Sequence, residues 1–434
     1  MQRSMDEIPI KRFHWALSTL AAMGVFLDGY DLNVIAFSVL LISSYFKLPS
    51  TSISYALLLS SGLIGMAIGG VTFGRIADRI GRKAMFVIDI LMFIIFTALS
   101  AIATNVAEIV IFRILMGIGI GADYPVSSSL IAEFAPKKER GKLLMYGIMF
   151  YWLGVLISGA VNYFALPLGS ALSWRVALGV GAAIAVPVIA SRWLMPESAR
   201  WLKAVGKSEQ AENVIRKSVG IEGYTVPEQG SAGTKELFSK HWKALTFVLM
   251  TWFAFDVGSY GFGFYTPTLY YELGITNLRT VVLFGTLTAP FPIVAYLALM
   301  ELIDRVGRKA LSLIGFAIMA VVLILLVPLV KVSAYALLPL FILFASFEQW
   351  PGGILSFSYS TELFPTRVRG LAQGLATTVS RIGGIMGVIL FPIIKGYGLV
   401  YGTTFFLAFI LLAIIITVIA APETRGRSLE EISR

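Results

Sequence analysis

The chain has 434 residues, of which 57% are hydrophobic and 14% charged, with a net charge of +10 and no cysteine. Its mean hydropathy is +0.82. Soluble domains carry roughly 25% charged residues. This chain lacks that polar surface, which excludes a soluble enzyme or nucleic-acid binder of ordinary composition; without cysteine it has no disulfide or thiolate metal site.

A bilayer core of about 30 Å takes about 20 apolar residues per helix, and the apolar runs here are too long for barrel strands. The polar N-terminus, Met1 to Arg12, leads into a run too long for a signal-peptide core, so no cleavage is expected. Apolar runs fall near residues 15–44, 53–77, 84–104, 106–134, 143–165, 173–195, 244–268, 280–301, 309–330, 334–361, 371–394 and 399–421. The expected fold is therefore an all-α polytopic membrane protein of twelve transmembrane helices. Six form an N-terminal half, residues 1–195, and six a C-terminal half, residues 244–434. Between them, 196–243 is a polar linker with two short amphipathic helices, "ESARWLKAVGK" and "SEQAENVIRKSV", and a flexible stretch, "GIEGYTVPEQGSAGT".

Basic residues alternate by side. Arg75, Arg79, Arg82 and Lys83 follow the second span, Lys137, Lys138, Arg140 and Lys142 the fourth, and Arg305, Arg308 and Lys309 the eighth. Arg367 and Arg369 follow the tenth, while the opposite loops hold little beyond Lys47, Arg279, Lys331 and Lys395. The positive-inside rule puts both termini and the linker in the cytoplasm of a cell with this protein in its plasma membrane. The net charge is then a topology signal, and nucleic acid is not expected as a partner.

The halves repeat one another. "GRIADRIGRK" matches "ELIDRVGRK", with Asp78 and Asp304 226 residues apart. "EFAPKKERG" matches "ELFPTRVRG", and "PESAR" matches "PETRG", each at nearly the same offset. A duplicated six-helix unit with parallel halves places a binding site at mid-membrane between them. These motifs, spread over nearly the whole chain, resemble the major facilitator superfamily and within it the sugar-porter-like branch. The resemblance implies an inner gate: Gly74, Asp78, Arg79, Arg82, Glu133, Arg140 and Glu197 in one half, Asp304, Arg308, Glu362, Arg369 and Glu423 in the other. Met300 stands where the first copy has Gly74, a departure that predicts looser packing there. A structural role in topology and loop capping is the plain alternative for each residue.

Ionisable groups inside a bilayer are costly and are functional candidates. Asp28, Asp31, Asp89, Arg113, Asp123, Asp256, Glu348 and Arg381 fall inside the runs. Depth sorts them. Asp28 lies near the middle of the first span and Asp31 about 4.5 Å further out on the same face. The fourth span runs the other way, so Asp28 can meet Asp123 and Asp31 can reach toward Arg113. Two carboxylates in one dry site do not easily both ionise, and protonating Asp31 would release Arg113. These four are the expected proton-coupling residues, with a static buried ion pair as the alternative. "GYDLNVI" with "RILMGIGIG" resembles proton-coupled sugar porters. Gly117, Gly119 and Gly121 read as packing glycines, and Asp89 as a structural or wet site.

For the substrate, "GIGIGADYPVSSSL" and the pair Asp28/Asp31 resemble proton-coupled phosphate symporters, as do Trp252, Asp256 and Tyr260 at i, i+4, i+8 on one helix face. Tyr151, in "FYWLG" with Trp152, departs from that family's glutamine, and "EQWPGG", holding Glu348 and Gln349, from its asparagine run. Arg381 and "DGYD" resemble aromatic-acid and niacin carriers instead; arginine suits bidentate recognition of carboxylate or phosphate. Tyr124, Tyr151, Trp152, Trp252, Asp256, Tyr260, Glu348, Gln349 and Arg381 are the expected substrate-facing residues, with pairing of Arg381 to Glu348 or Asp256 as the structural alternative. The expectation is a monomeric secondary carrier that symports protons with a small anion by alternating access, needing no cofactor or metal. Sugar or polyol symport, organic-cation/proton antiport and a non-transporting sensor on a carrier fold are the alternatives.

Overall fold

The computed structural model describes residues 9–220, 234–329 and 334–432. Residues 1–8, residues 221–233 (the stretch expected to be flexible), the side chains of Arg75 and Arg367, and three expected gate residues (Gly74, Asp78, Arg79) lie outside what it describes. Among the described residues there is no strand. The first half consists of spans Arg12–Phe46, Ile53–Ile80, Arg82–Ile102, Val106–Phe134, Arg140–Ala165 and Ser170–Trp193. The second half opens with Trp242–Glu272 as the seventh span. The eighth is broken into Leu278–Thr288 and Pro290–Val306, and the ninth is Arg308–Leu329. The tenth starts as Ala334–Phe347, and the eleventh and twelfth are Thr366–Lys395 and Leu399–Ala420. Short helices Ala199–Ala204, Ser208–Val219 and Thr234–Ser239 lie between the halves. Eleven of the helical stretches are long and apolar enough to cross a membrane, judged on the described residues; the fourth span, 29 residues, completes the twelve.

The outer faces suit lipid. The twelfth span exposes Leu411, Leu412, Ile415, Val418 and Ile419 while burying Gly402, Thr403, Phe406, Ile410, Ala413 and Thr417. Such an exposed apolar stripe is untenable in water. Inside, hydrocarbon contact alone gives helices no reason to associate in a bilayer, so small residues that allow backbone contact take over. A Cβ on Gly29 would stand 1.9 Å from the carbonyl oxygen of Tyr151, and one on Gly154 2.1 Å from that of Phe26. The first and fifth spans therefore touch backbone to backbone. The duplicate pair, seventh and eleventh, does the same through Gly383 at Phe253 and Gly387 at Val257.

The duplication extends to single hydrogen bonds. Glu197 accepts from the backbone N–H groups of Arg82 and Lys83 at 3.0 and 3.2 Å. Glu423 accepts from those of Arg308 and Lys309 at 3.1 and 3.2 Å. Each carboxylate thus satisfies orphan donors at a helix N-terminus, where the helix dipole also favours negative charge. The residue after each glutamate completes the pattern: Ser198 bonds Glu133, and Thr424 donates to Glu362 at 2.5 Å.

Two spans are interrupted where they meet the centre. Pro290 restarts the eighth span after a turn at Ala289. The tenth turns at Glu348, continues through Gln349–Gly353, winds as a π-helix over Ile354–Tyr359 and ends with Ser360–Glu362. Pro351 cannot donate the hydrogen bond a regular helix would require of it. Irregular backbone at membrane depth is tolerated where protein buries it or it lines a cavity, and both hold here.

Candidate functional site

A cavity of about 150 Å³ lies between the halves. It is bordered by Tyr124, Tyr151, Trp152, Trp252, Asp256, Tyr260, Glu348, Gln349 and Arg381, all nine residues that the sequence reading placed toward a substrate. Asn33, Ser259 and Tyr296 also border it and were not anticipated. Each is a polar group inside an apolar run, the one signal that pointed to them.

Arg381 organises the cavity. Its Nη1 meets Asp256 Oδ2 at 2.6 Å, and both side chains are buried. The guanidinium carbon lies 4.9 Å from the ring centre of Tyr260, 5.2 Å from Tyr124 and 5.6 Å from Trp252. Three ring faces around one cation replace part of its lost hydration. Its Nε has no hydrogen-bond partner among the described residues. Elsewhere in the lining Glu348 accepts from Ser259 at 2.8 Å and from Gln349 at 3.0 Å, and Asn33 donates to Tyr151 at 3.0 Å. The indole Nε1 of Trp152 is buried without a partner. The chemistry on offer is a cation with a spare donor, set among aromatic rings and amides.

The other buried charges fall into two groups. Arg113 contacts Asp31 at 3.0 Å and also donates to the Asp31 carbonyl and to Ser61 Oγ. Asp123 is paired with Arg192 at 2.9 Å and accepts from Ser127 at 3.1 Å. Asp28, on the first span, is buried, and its Oδ2 has no hydrogen-bond partner among the described residues. Arg192 went unnoticed in the sequence because it sits close to Pro196, where a basic residue reads as a span end. Asp89, read as structural or wet, is buried on the third span and accepts from the backbone N–H of Ile90.

On the face that carries the linker, Arg308 binds Asp304 at 2.9 Å and Glu362 at 3.0 Å. Across the halves, Arg369 faces Glu133 at 3.9 Å, Asp304 accepts from the Lys142 N–H at 2.9 Å, and Arg140 donates to the Arg427 carbonyl at 3.3 Å. Lys142 also pairs with Glu301. Deeper in the seam Gln373 donates to Ser128 at 2.6 Å. The opposite face has bonds between the halves too: Tyr55 to Thr268 at 2.8 Å and Arg279 to Tyr163 at 3.0 Å. The cavity is therefore bracketed by polar contacts on both sides.

Two six-helix halves closing around a central cavity define a secondary carrier of the major facilitator type, a transporter of small molecules and not an enzyme. Residues 17–434 match the family model "Sugar (and other) transporter", and the chain belongs to that family. A putative metabolite transport protein of Escherichia coli, YaaU, is 29% identical over 99% of this chain and 97% of its own length. The niacin transporter NiaP of Acinetobacter baylyi is 27% identical over 99% and 98%, and a repressible high-affinity phosphate permease of Neurospora crassa 27% over 99% and 88%. Among solved structures, the proton:xylose symporter XylE bound to 6-bromo-6-deoxy-D-glucose superposes with a TM-score of 0.84 at 24% identity, covering 97% of this chain and 98% of that one.

Proposed function

We propose that the protein is a proton-coupled symporter of a small anion, with an organic carboxylate of one ring fitting best. On this reading it works by alternating access, and the linker face is the cytoplasmic face of the plasma membrane. The observation that carries the reading is Arg381 in the cavity wall, held by Asp256 and three aromatic rings. Arginine gives planar recognition of carboxylate or phosphate. A cavity near 150 Å³ is of the size that holds one benzene ring, and the aromatic walls favour a ring over bare phosphate. Relatives named as niacin and phosphate transporters are in keeping with an anion.

Coupling follows from charge balance. An anion arriving at Arg381 must share it with Asp256, and the two negative charges repel unless a proton accompanies the anion. Asp28, Asp31 and Asp123 are the proposed groups that take up and release that proton, and Arg113 is the cation that protonation of Asp31 frees. Sugar symport is the second reading, supported by the amides of Asn33 and Gln349 in the same wall. A ligand that binds only the folded state raises its stability, by about 2.7 kcal/mol at a hundredfold excess over Kd. Thermal melts of detergent-solubilised protein with benzoate, nicotinate, phosphate or xylose therefore separate the two readings. We expect benzoate or nicotinate to raise Tm in the wild type and not in Arg381→Met. A rise with xylose alone would replace the anion reading by the sugar one.

A further inference from the structure

We propose that Glu348 is a subsite for an amino group, and that the substrate is a ring carboxylate that carries one. The carboxylate end meets Arg381 and the ammonium end meets Glu348. The inference rests on the anion reading of the cavity and narrows its substrate class to zwitterions.

The charge balance of the cavity points there. Among the described residues that border it, the charged ones are Asp256, Glu348 and Arg381. Arg381 is already held by Asp256 at 2.6 Å. Glu348 has neutral hydrogen-bond partners: Ser259 donates to Oε2 at 2.8 Å and Gln349 to Oε1 at 3.0 Å. A carboxylate offers about four acceptor sites, so both oxygens can take a further donor. A simple anion would set three negative charges against one guanidinium in a buried site, and unbalanced buried charge is costly. An ammonium on the same molecule, together with the coupled proton, restores the balance.

The seventh span spaces the two ends. It carries Asp256, the partner of Arg381, and Ser259, the partner of Glu348. These are three residues apart on one helix face, about 4.5 Å along the axis. The tenth span presents Glu348 at its turn, just before Gln349–Gly353. That turn is pinned on two sides. A Cβ on Gly352 would stand 2.9 Å from Phe255 Cζ of the seventh span, and Trp350 Nε1 donates to the Ala295 carbonyl of the eighth at 3.2 Å. The rings of Tyr124, Trp252 and Tyr260 surround Arg381. A flat ring with substituents at opposite positions therefore suits the space between the carboxylate end and the amino end.

The test uses three ligands of nearly one shape: para-aminomethylbenzoate, para-hydroxymethylbenzoate and para-ethylbenzoate. Each is titrated into thermal melts of the solubilised protein. In the wild type we expect the amino compound to act at about tenfold lower concentration than the other two, the worth of one charge-assisted hydrogen bond. That advantage is expected to vanish in Glu348→Gln. Glutamine keeps the size of Glu348 and breaks no ion pair, so the variant is expected to fold. No advantage of the amino compound in the wild type overturns the proposal, as does an equal advantage of the hydroxymethyl compound. An advantage that persists in folded Glu348→Gln overturns it as well. Benzylamine separates this inference from the reading it rests on. A Tm rise with benzylamine that is lost in Glu348→Gln, with none from para-ethylbenzoate in the wild type, would keep the amino subsite and sink the anion reading. A rise with para-ethylbenzoate and none with benzylamine, the amino compound having no advantage, would do the reverse.

Discussion

Arg381 and Asp256 form a 2.6 Å ion pair in the wall of the central cavity, with both side chains out of contact with solvent. Removing one partner of such a pair leaves an uncompensated charge and costs about 3–5 kcal/mol. Asp256→Asn is therefore expected to lower Tm sharply in the absence of ligand, and a small carboxylate should restore part of the loss by taking the vacant side of Arg381. The double variant Asp256→Asn/Arg381→Met should regain most of the stability yet gain nothing from a carboxylate. Denaturation with and without benzoate measures each corner of this cycle. Equal benzoate stabilisation in the double variant would place the anion elsewhere.

The pair Asp123–Arg192 leaves no room beside the first span. A Cβ on Gly24 would fall 2.1 Å from Arg192 Nη2 and 2.4 Å from Asp123 Oδ2. Gly24→Ala must push that pair apart, and we predict uptake that no longer responds to a proton gradient while exchange persists. Gly179→Ala adds a Cβ with its nearest neighbour at 3.8 Å and should transport as the wild type does. Comparing gradient-driven uptake with exchange in both variants makes the measurement.

The halves touch at the face opposite the linker through Gly159 of the fifth span and Thr286 of the eighth, where a Gly159 Cβ would stand 3.1 Å from Thr286 Cβ. Disulfides span Cβ separations of about 3.5–4.5 Å, so a slight spreading suffices. The chain has no cysteine, which makes Gly159→Cys/Thr286→Cys free of background thiols. Oxidation is expected to lock this face shut and stop transport, and reduction to restore it. Full activity in the oxidised, cross-linked protein would rule out opening at this face.

At the linker face, Glu133 faces Arg369 across the halves. Glu133→Gln weakens that contact and should favour the state open on this side. A single cysteine at Thr361, buried in the seam beside Ser128 and Gln373, is expected to react with a maleimide roughly tenfold faster in Glu133→Gln. That is the effect of about 1.4 kcal/mol on the opening equilibrium. An unchanged labelling rate would show that the contact does not restrain opening.

Much of this architecture was legible in the sequence because the bilayer imposes long apolar runs and the duplicated motifs fix which segments correspond. The nine cavity residues were reached by motif and helical phase, and Asp31 met Arg113 because depth can be counted along a helix at about 1.5 Å per residue. The breaks at Ala289 and Glu348 were missed, since apolar composition continues through them and only Pro290 and Pro351 mark them. Arg192 was missed for a different reason. Its pairing with Asp123 comes from lateral contact between the fourth and sixth spans, which periodicity within one span does not encode. Glu197 and Glu423 illustrate the same limit: the resemblance set them in one gate with Arg82 and Arg308, but not that the backbone N–H groups of Arg82, Lys83, Arg308 and Lys309 would supply the donors.

The central claim is gradient-driven anion uptake through Arg381. The most direct measurement is uptake of labelled benzoate and, in parallel, labelled phosphate into proteoliposomes, with and without an inward proton gradient, for wild type and Arg381→Met. Accumulation that requires the gradient for at least one of these anions, and is lost in Arg381→Met, is the predicted result. Wild-type protein that melts normally yet takes up neither anion, or takes one up equally well without the gradient or without Arg381, would contradict the account.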